Sequence, residues 1–449
     1  MVEFLSVLCY NLSSFLKGVK MGVDVTGLVL KYSDVVRSDK VLADARKYLN
    51  KDISLREVLV LFEKEINEMT YEFLNTKNKD GIRLVSGLSN QIYLPNYENN
   101  FSYCYKVIGG YRNREMKDKI DENTLFDVAS ITKLFTLLLL LRLCDLGYMS
   151  LNDKVRDVNS DFNGLNDFTF NDLVRLHGEY RTIGNVASAS NVKEAYERLY
   201  SLHLVSEDRT RNKYNDFGAI VIADSISKVM SRIYGRYMSF SDILSIYLLY
   251  PLGIYNTMFN PKSDNISGQG SIKCVHDRKT RALGGESGAA GLFTNAKDLC
   301  LLSDEIFKSM IGKSRTIKKD ITQKLGEVTF PNSSQFEKGN LGVYVKSFIP
   351  YSSYVPNVYS KGSFAHQGWT GSATSFDVNR RIHQSILVNA IYESDDKEKI
   401  VNDKVNGYTP EFKNFQNRMA EIALEMRILI NIYNKYFEED VKEDKTFIL

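Results

Sequence analysis

A serine and a lysine three residues apart, at the start of a very apolar segment, constrain this chain more than any other feature. Ser130 and Lys133 stand directly before the run 134–143, in which residues 137–141 are all leucine. Positions i and i+3 share one face of a helix, so the hydroxyl and the amine point the same way. A helix that is apolar nearly all round has to be buried. We therefore predict a rigid, buried helix with a nucleophile at its tip. Because nearby apolar surface disfavours a charged amine, Lys133 is expected to act as a base near neutral pH.

The Ser-x-x-Lys spacing alone is weak evidence, because it occurs five times in this chain. The pairs are Ser14/Lys17, Ser130/Lys133, Ser190/Lys193, Ser225/Lys228 and Ser394/Lys397. Only Ser130 opens a strongly apolar helix after a strand-and-turn segment. Serine is also a common N-cap residue, so the local sequence leaves open that Ser130 merely caps the helix.

Length, charge and cysteine content narrow the class of protein. A chain of 449 residues suggests one large domain plus an extension, or two domains. The net charge is +3 and no basic stripe stands out, so we expect no nucleic-acid partner. The five cysteines are odd in number and widely spaced. This pattern favours reduced core thiols over a disulfide framework or a zinc site.

The amino-terminal residues favour a cytoplasmic protein. No basic residue precedes their apolar part, and no clear cleavage site follows it. No run approaches the roughly 20 apolar residues that span a bilayer. An atypical signal stays open as the alternative.

The order of periodic segments predicts an α+β fold. We expect a helical extension over residues 1–80, in which Ser54 and Glu57 form a capping box, and one domain over residues 81–449. The expected strands are 82–86, 92–94, 101–112, 340–349, 361–365, 372–378 and 384–392. The expected helices are 168–177, 191–204, 216–233, 239–249, one starting at Thr294, and 411–437. Strands near both ends with helices between them indicate an antiparallel sheet beside a helical region.

Two further motifs follow Ser130 in the sequence. Lys213-Tyr214-Asn215-Asp216 stands at the start of a predicted helix, and residues 364–371 read Phe-Ala-His-Gln-Gly-Trp-Thr-Gly. With the Ser-x-x-Lys pair, the chain here resembles the serine β-lactamase and penicillin-binding protein superfamily. The likeness is greatest to the class C branch, which includes esterases and D-amino-acid peptidases. It covers about residues 100–395, and its flanking matches lie at 121–126, 252–259, 276–277, 282–285 and 290–294.

The resemblance implies a role for each motif residue. Ser130 would form an acyl-enzyme, and Lys133 would accept its proton or hold a hydrogen-bonded base in place. Tyr214 would be the class C partner, since neighbouring ammonium groups favour a phenolate; the alternative is an ordinary core tyrosine. The backbone N–H groups of Ser130 and Trp369 would form the oxyanion hole, and Gly368 would let the strand approach closely. The Trp369 ring would either wall the acyl pocket or only pack.

The chain departs from the family pattern in ways that bear on its substrate. Asp216 stands where Asn is usual; it can steady Lys133 but cannot donate to a substrate amide, which argues against an efficient β-lactamase. His366 replaces a lysine and would orient a carboxylate or relay a proton. Glu286 stands near a position that often holds a small residue. Gly178-Glu179-Tyr180 replaces the usual Ser-Gly after His177, for which we expect a structural role.

The sequence therefore predicts a serine hydrolase that acts through acyl-Ser130 on a small ester or a D-amino-acid-type peptide, rather than on a β-lactam. No metal or organic cofactor, no nucleic acid and no membrane span are expected. One alternative is a weakly active or inactive β-lactamase-fold binding protein, which the altered Asp216 and site rim favour. Another is a membrane-anchored cell-wall enzyme.

Overall fold

The fold is described from a computed structural model. It describes residues 36–49, 54–78, 83–97, 102–113, 116–210, 213–267, 275–327, 340–346, 355–390 and 409–437, and the single residues 27, 29, 31 and 81. The predictions for the amino-terminal signal region, for Cys9 and Cys274, and for Ser14/Lys17 and Ser394/Lys397 lie outside these residues. So do the ends of four predicted strands, at 82, 101, 347–349 and 391–392.

Helices and strands are numbered in chain order. The helices are α1 Ser38–Leu49, α2 Leu55–Leu74, α3 Thr132–Asp145, α4 Val155–Val158, α5 Phe170–Val174, α6 Val192–Tyr200, α7 Phe217–Tyr234, α8 Phe240–Leu244, α9 Arg278–Ala282, α10 Ala296–Met310, α11 Lys319–Leu325 and α12 Pro410–Phe437. The strands are β1 Gly87–Leu94, β2 Tyr103–Gly110, β3 Leu125–Asp127, β4 Glu179–Arg181, β5 His203–Ser206, β6 Met258–Phe259, β7 Ile266–Ser267, β8 Leu292–Thr294, β9 Tyr344–Val345, β10 Phe364–Gln367, β11 Ala373–Asp377 and β12 Ile382–Val388.

An antiparallel six-stranded sheet joins the two ends of the chain. Its order is β2-β1-β12-β11-β10-β9, and β1 pairs with β12 in a register that places Leu88 opposite Val388. The predicted break between strands 82–86 and 92–94 is wrong, because β1 is one strand that begins at Gly87. Every residue of β1 is buried. A strand covered on both faces need not alternate polar and apolar residues, so periodicity did not identify it.

Helices cover both faces of this sheet. On one face α2 and α12 pack together, and Phe73 stacks on Phe415 with ring centroids 4.6 Å apart. The predicted capping box at the start of α2 is confirmed, since the Glu57 N–H donates to Ser54 Oγ at 3.2 Å. The described part of the amino-terminal segment therefore shares a core with the sheet. The division of the chain at residue 80 stays a prediction.

The predicted buried helix lies in the core on the other side of the sheet, in the same hydrophobic cluster as Phe364, Phe376 and Leu387 of the sheet. Helix α3 is buried along the whole stretch 132–141, including Lys133. It begins at Thr132, whereas Ser130 lies in the 3₁₀ turn Ala129–Ile131 that precedes it. No N-cap hydrogen bond comes from a side chain at either element, so Ser130 does not cap α3. A second sheet, of order β6-β8-β3-β7, leads into this turn and was not predicted as a sheet.

Several predicted boundaries are wrong where the chain changes conformation within an apolar stretch. The helix predicted over 191–204 ends at Tyr200, because β5 follows and pairs with β4. The helix predicted over 239–249 is α8 followed by a π turn, and the chain turns at Gly253, where φ is +71°. Of the residues predicted as strand over 340–349, only Tyr344–Val345 is one within the described part. No helix of the described residues is long and apolar enough to cross a membrane.

Candidate active site

The nucleophile turn is held in a strained conformation by a buried carboxylate. Strand β3 ends at Asp127, and Ala129, directly before Ser130, has a φ of +44°. A non-glycine residue in this region costs about 1–3 kcal/mol. Asp127, only 3% exposed, offsets this by accepting the Ala129 N–H at 2.8 Å and the His276 N–H at 2.9 Å. The turn therefore presents Ser130 from a fixed backbone.

The turn between β10 and β11 packs directly on the nucleophile turn. The Thr370 hydroxyl donates to the carbonyl of Asp127 at 2.8 Å. A Cβ at Gly368 would stand 2.4 Å from the carbonyl oxygen of Val128, so only glycine permits this approach. Trp369, between them, is 42% exposed. This contact brings the two segments of the predicted oxyanion hole together.

Lys133 is fully buried and uses its ammonium group on three acceptors. It donates to Ser130 Oγ at 3.0 Å, to Asp216 Oδ1 at 2.9 Å and to the carbonyl of Ala289 at 3.0 Å. Burial lowers the pKa of Lys133, but the charge of Asp216 and the neighbouring Tyr214 outweigh it, so the pKa lies above its usual value. The expected role of Lys133 as a base near neutral pH stays a prediction. The carboxylate of Asp216, which offsets the burial, is the one that we expected from the sequence to steady Lys133.

Tyr214 and Asp216 both lie against Lys133, as the motif order predicts. The ammonium nitrogen is 5.1 Å from the centroid of the Tyr214 ring. A side-chain hydrogen bond to Tyr214 contributes to the raised pKa of Lys133. Behind the ring, a Cβ at Gly342 would stand 2.4 Å from Tyr214 Cε2, so glycine is needed for the ring to sit there. Ser130, Lys133, Tyr214 and Asp216 therefore form one cluster.

Asp216 bridges two lysines. Its Oδ1 binds Lys133, and its Oδ2 accepts from Lys279 on α9 at 2.9 Å. Burial alone would raise the pKa of Asp216, but the two ammonium groups outweigh it and hold that pKa well below its ordinary value. The Lys279 ammonium also lies 4.7 Å from the centroid of the Phe217 ring. Asp216 is thus an ionised counter-ion to both lysines.

Lys279, Asp127, His276 and Ala289 are site residues that the sequence analysis did not identify. Lys279 lies 63 residues from Asp216 in the chain, and no local pattern marks it among many basic residues. Ala289 contributes a backbone carbonyl, which carries no sequence signal. Asp127 precedes the motif serine by three residues, and His276 lies in the flanking match at 276–277, so these two positions carried a usable signal.

His366 lies on β10 and is 1% exposed. Its Nδ1 accepts the N–H of Gln367 at 2.9 Å, and its Nε2 lies 3.4 Å from the carbonyl oxygen of Leu341. The ring also makes an edge contact with Tyr344, at 6.4 Å between centroids. His366 and Tyr214 therefore both contact the short segment around Leu341 and Gly342. The predicted role of His366 toward substrate stays a prediction.

The other predicted departures occupy polar clusters around the site. His177 Nδ1 lies 2.8 Å from Asp172 Oδ1, and the Tyr180 hydroxyl donates to the carbonyl of His177 at 2.5 Å. Glu179 pairs with Lys213, directly before Tyr214, at 2.7 Å. This places the His177 turn beside the Tyr214 segment as a support.

Glu286 has no contact with the cluster around Ser130 among the contacts of the described residues; it accepts the Ser241 N–H at 2.9 Å. In the same described part of the chain, no group of three or more His, Cys, Asp or Glu side chains is placed to hold a metal ion.

A hydroxyl on a strained turn, an ammonium beside it and an α+β fold of this topology define a serine hydrolase of the β-lactamase type. The family model named Beta-lactamase matches residues 97–406, more than half of the chain. The chain belongs to this family, and the predicted superfamily, α+β fold and serine hydrolase class are confirmed.

Similar proteins agree with this assignment. A protein of Escherichia coli (strain K12) named for D-alanyl-D-alanine carboxypeptidase activity is 22% identical over 311 residues, which cover 59% of this chain and 68% of the relative. Among solved structures, EstCE1, a hydrolase with promiscuous acyltransferase activity, has a TM-score of 0.59 at 15% identity; the match covers 80% of this chain and 99% of EstCE1. The D-alanine carboxypeptidase AmpC from Burkholderia cenocepacia has a TM-score of 0.56 at 14% identity, with 82% and 99% of the two chains covered. These structures share the fold.

Proposed function

We propose that the protein hydrolyses a small ester or a D-amino-acid-type peptide through an acyl intermediate on Ser130. One observation carries the proposal: the chain of contacts Ser130–Lys133–Asp216, with donor–acceptor distances of 3.0 Å and 2.9 Å, at the strained turn. Such a chain fixes the hydroxyl beside a cation in a water-poor environment, where electrostatic interactions are strong.

The geometry supports a division of labour between Lys133 and Tyr214. Ser130 Oγ attacks the substrate carbonyl, and its proton passes to Tyr214, which acts as a phenolate beside the Lys133 ammonium and, once protonated, gives that proton to the leaving group. Lys133 stays an ammonium, because Asp216 raises its pKa, and it holds Ser130 and Tyr214 in place. The N–H groups of Ser130 and Trp369 bind the oxyanion, an interaction for which each donor typically contributes about 10²–10³ in rate. Water then cleaves the acyl ester by the reverse proton path.

Asp216 favours esters and simple peptides over β-lactams. Both of its oxygens already accept from lysines, and a carboxylate has no hydrogen to donate to a substrate amide. The names of similar proteins, a D-alanyl-D-alanine carboxypeptidase and a hydrolase with promiscuous acyltransferase activity, support a substrate of this kind. We therefore propose that β-lactams are poor substrates.

Turnover of three substrates tests this proposal. We expect hydrolysis of p-nitrophenyl acetate, of a D-alanyl-D-alanine peptide, or of both. We expect little hydrolysis of the β-lactam nitrocefin. Ser130→Ala should abolish the activity. Ser190→Ala is the matched control, because Ser190 and Lys193 have the same spacing but lie on an exposed segment. Nitrocefin turnover faster than ester and peptide turnover would overturn the substrate proposal.

A weakly active or inactive binding protein is the second candidate. The observation that favours it is that the Lys133 ammonium donates to three acceptors at once. A lysine held in this way as a cation cannot act as the base that deprotonates Ser130. Ester turnover that disappears in Lys133→Ala decides against this candidate. Turnover that is equal in wild type and Lys133→Ala decides for it.

We also propose a cytoplasmic location, which is supported by the free thiols of Cys104, Cys144 and Cys300, since disulfides are rare in reducing compartments. Fractionation of cells that express the full chain tests this. Recovery in the membrane or an external fraction would favour the membrane-anchored alternative.

A further inference from the structure

A cavity of about 320 Å³ lies between helices α6, α7 and α8 and the loop that follows α9. Its size is at the lower end of the range of small-ligand pockets, about 300–1,000 Å³. The lining combines four aromatic rings with two carboxylates: Tyr196, Tyr200, Tyr237, Phe240, Asp224 and Glu286. None of the residues of the Ser130 cluster lines it.

The two carboxylates are held in place by uncharged donors. Asp224 accepts from the side-chain amide of Asn159 at 2.8 Å, and Glu286 accepts the backbone N–H of Ser241 at 2.9 Å. Within the described part of the chain, neither carboxylate takes part in an ion pair. Lys228 also lines the cavity, but its ammonium pairs with Asp161 at 2.7 Å. The cavity therefore carries an excess of negative charge once both carboxyls are ionised, and burial raises the pKa of each of them.

The aromatic rings lie close to both carboxylates. Tyr237 is 79% exposed and lies at the mouth of the cavity; partial burial, together with the charges of Glu286 and Asp224, raises the pKa of its phenol. Burial also raises the pKa of the Tyr196 phenol, and the charges of Asp224 and Glu286 add to this rise. Aromatic faces attract cations, and the attraction grows as the cation is desolvated. Rings and carboxylates around one space thus favour the same kind of guest.

From this lining we propose that the cavity is a binding site for a small organic cation, a primary amine that carries an apolar group. The ammonium would donate to Asp224 and Glu286, and the apolar group would lie against the tyrosine rings and Phe240. An anion is disfavoured by the two carboxylates. A neutral molecule of the same shape would gain the ring contacts but not the charge-assisted hydrogen bonds.

The loop that contains residues 286–289 contacts both the cavity and the Ser130 cluster. Glu286 and Ser287 line the cavity, whereas the carbonyl of Ala289, two residues further on, accepts from Lys133. Gly288 between them packs on α7, where a Cβ would stand 2.2 Å from the carbonyl oxygen of Ala219. The amine site is therefore separate from the catalytic cluster. Amine binding would also give Glu286 a role outside the Ser130 cluster.

Calorimetric titration of the full chain at pH 8 with phenethylamine tests the proposal, with 2-phenylethanol as the neutral probe of similar shape. We expect saturable binding of phenethylamine and binding of 2-phenylethanol that is weaker by about tenfold or more, the loss expected for a hydrogen bond to a charged group. This comparison uses the wild-type protein and needs no variant to fold.

Two variants locate the site. Glu286→Gln and Asp224→Asn should each weaken phenethylamine binding by about tenfold or more. Glu197→Gln is the control: Glu197 lies on α6 as well, but its side chain is 63% exposed and pairs with Lys193. Equal affinities for the amine and the alcohol, no saturation up to about 10 mM, or unchanged affinity in both cavity variants would overturn the proposal.

Discussion

Replacing Asp216 by asparagine tests whether Lys133 works as a cation. The substitution keeps the shape of the side chain and removes its charge. Lys133 then keeps its buried position but loses the carboxylate 2.9 Å away that offsets the burial. The pKa of Lys133 must fall, and the Lys279 ammonium, which also loses its counter-ion, lowers it further.

The size of the effect follows from the distance. Two unit charges 2.9 Å apart interact by about 6 kcal/mol at an effective dielectric constant of about 20. One pKa unit corresponds to about 1.4 kcal/mol. The Asp216 side chain is 30% exposed and shares its charge with Lys279, so most of this energy is screened or divided. We expect the alkaline limb of the pH profile of kcat/KM to move to lower pH by at least about one unit.

The assay is kcat/KM for p-nitrophenyl acetate from pH 5 to pH 10, a range in which the wild type should show no loss of activity from deprotonation of Lys133, whereas Asp216→Asn should show an alkaline limb. Asp167→Asn is the matched control, because Asp167 also bridges two basic residues, Lys154 and Arg156, but is 65% exposed. Its profile should match that of the wild type. If Lys133 were instead the base, its neutral form would be the active one. Asp216→Asn would then be more active near pH 7, with its acid limb moved to lower pH, and this result would refute the account.

Three further changes give distinct outcomes. Gly368→Ala drives a methyl group against the carbonyl oxygen of Val128. It should lower kcat by about 10²–10³, as the loss of one oxyanion donor does, while the circular dichroism spectrum stays unchanged. Full activity would contradict the predicted oxyanion hole. His366→Gln should lower kcat/KM for a peptide with a free carboxylate by about tenfold or more and for p-nitrophenyl acetate much less, whereas equal losses for both would contradict a role in carboxylate binding. Leu138→Ala empties part of the core of α3 and should lower the free energy of unfolding in urea by about 2–5 kcal/mol, and a loss below 1 kcal/mol would contradict the burial of that helix.

The central helix and the order of the motifs could be predicted from the sequence, because both depend on local patterns. A segment with five successive leucines has one stable environment, the core, and α3 occupies it. Tyr214 and Asp216 lie where the motif order predicts, against Lys133. The capping box at Ser54 depends on residues three apart and is also present.

The features that the sequence did not predict depend on contacts between distant residues. Asp216, which we expected from the sequence to steady Lys133, is itself held by Lys279, which lies 63 residues away in the chain. Strand β1 is buried on both faces, so its polar and apolar residues do not alternate in the pattern that identifies a strand. The strained φ of Ala129 is maintained by Asp127, whose other oxygen binds His276. Tertiary contacts of this kind leave no periodic mark in the sequence.

Reaction with a fluorophosphonate followed by peptide mass spectrometry tests the central claim most directly. The account predicts one adduct on Ser130, no adduct in Ser130→Ala, and an unchanged adduct in Ser190→Ala. Labelling that persists at the same level in Ser130→Ala, or that maps to another serine of the wild-type protein, would contradict the claim that Ser130 is the activated nucleophile.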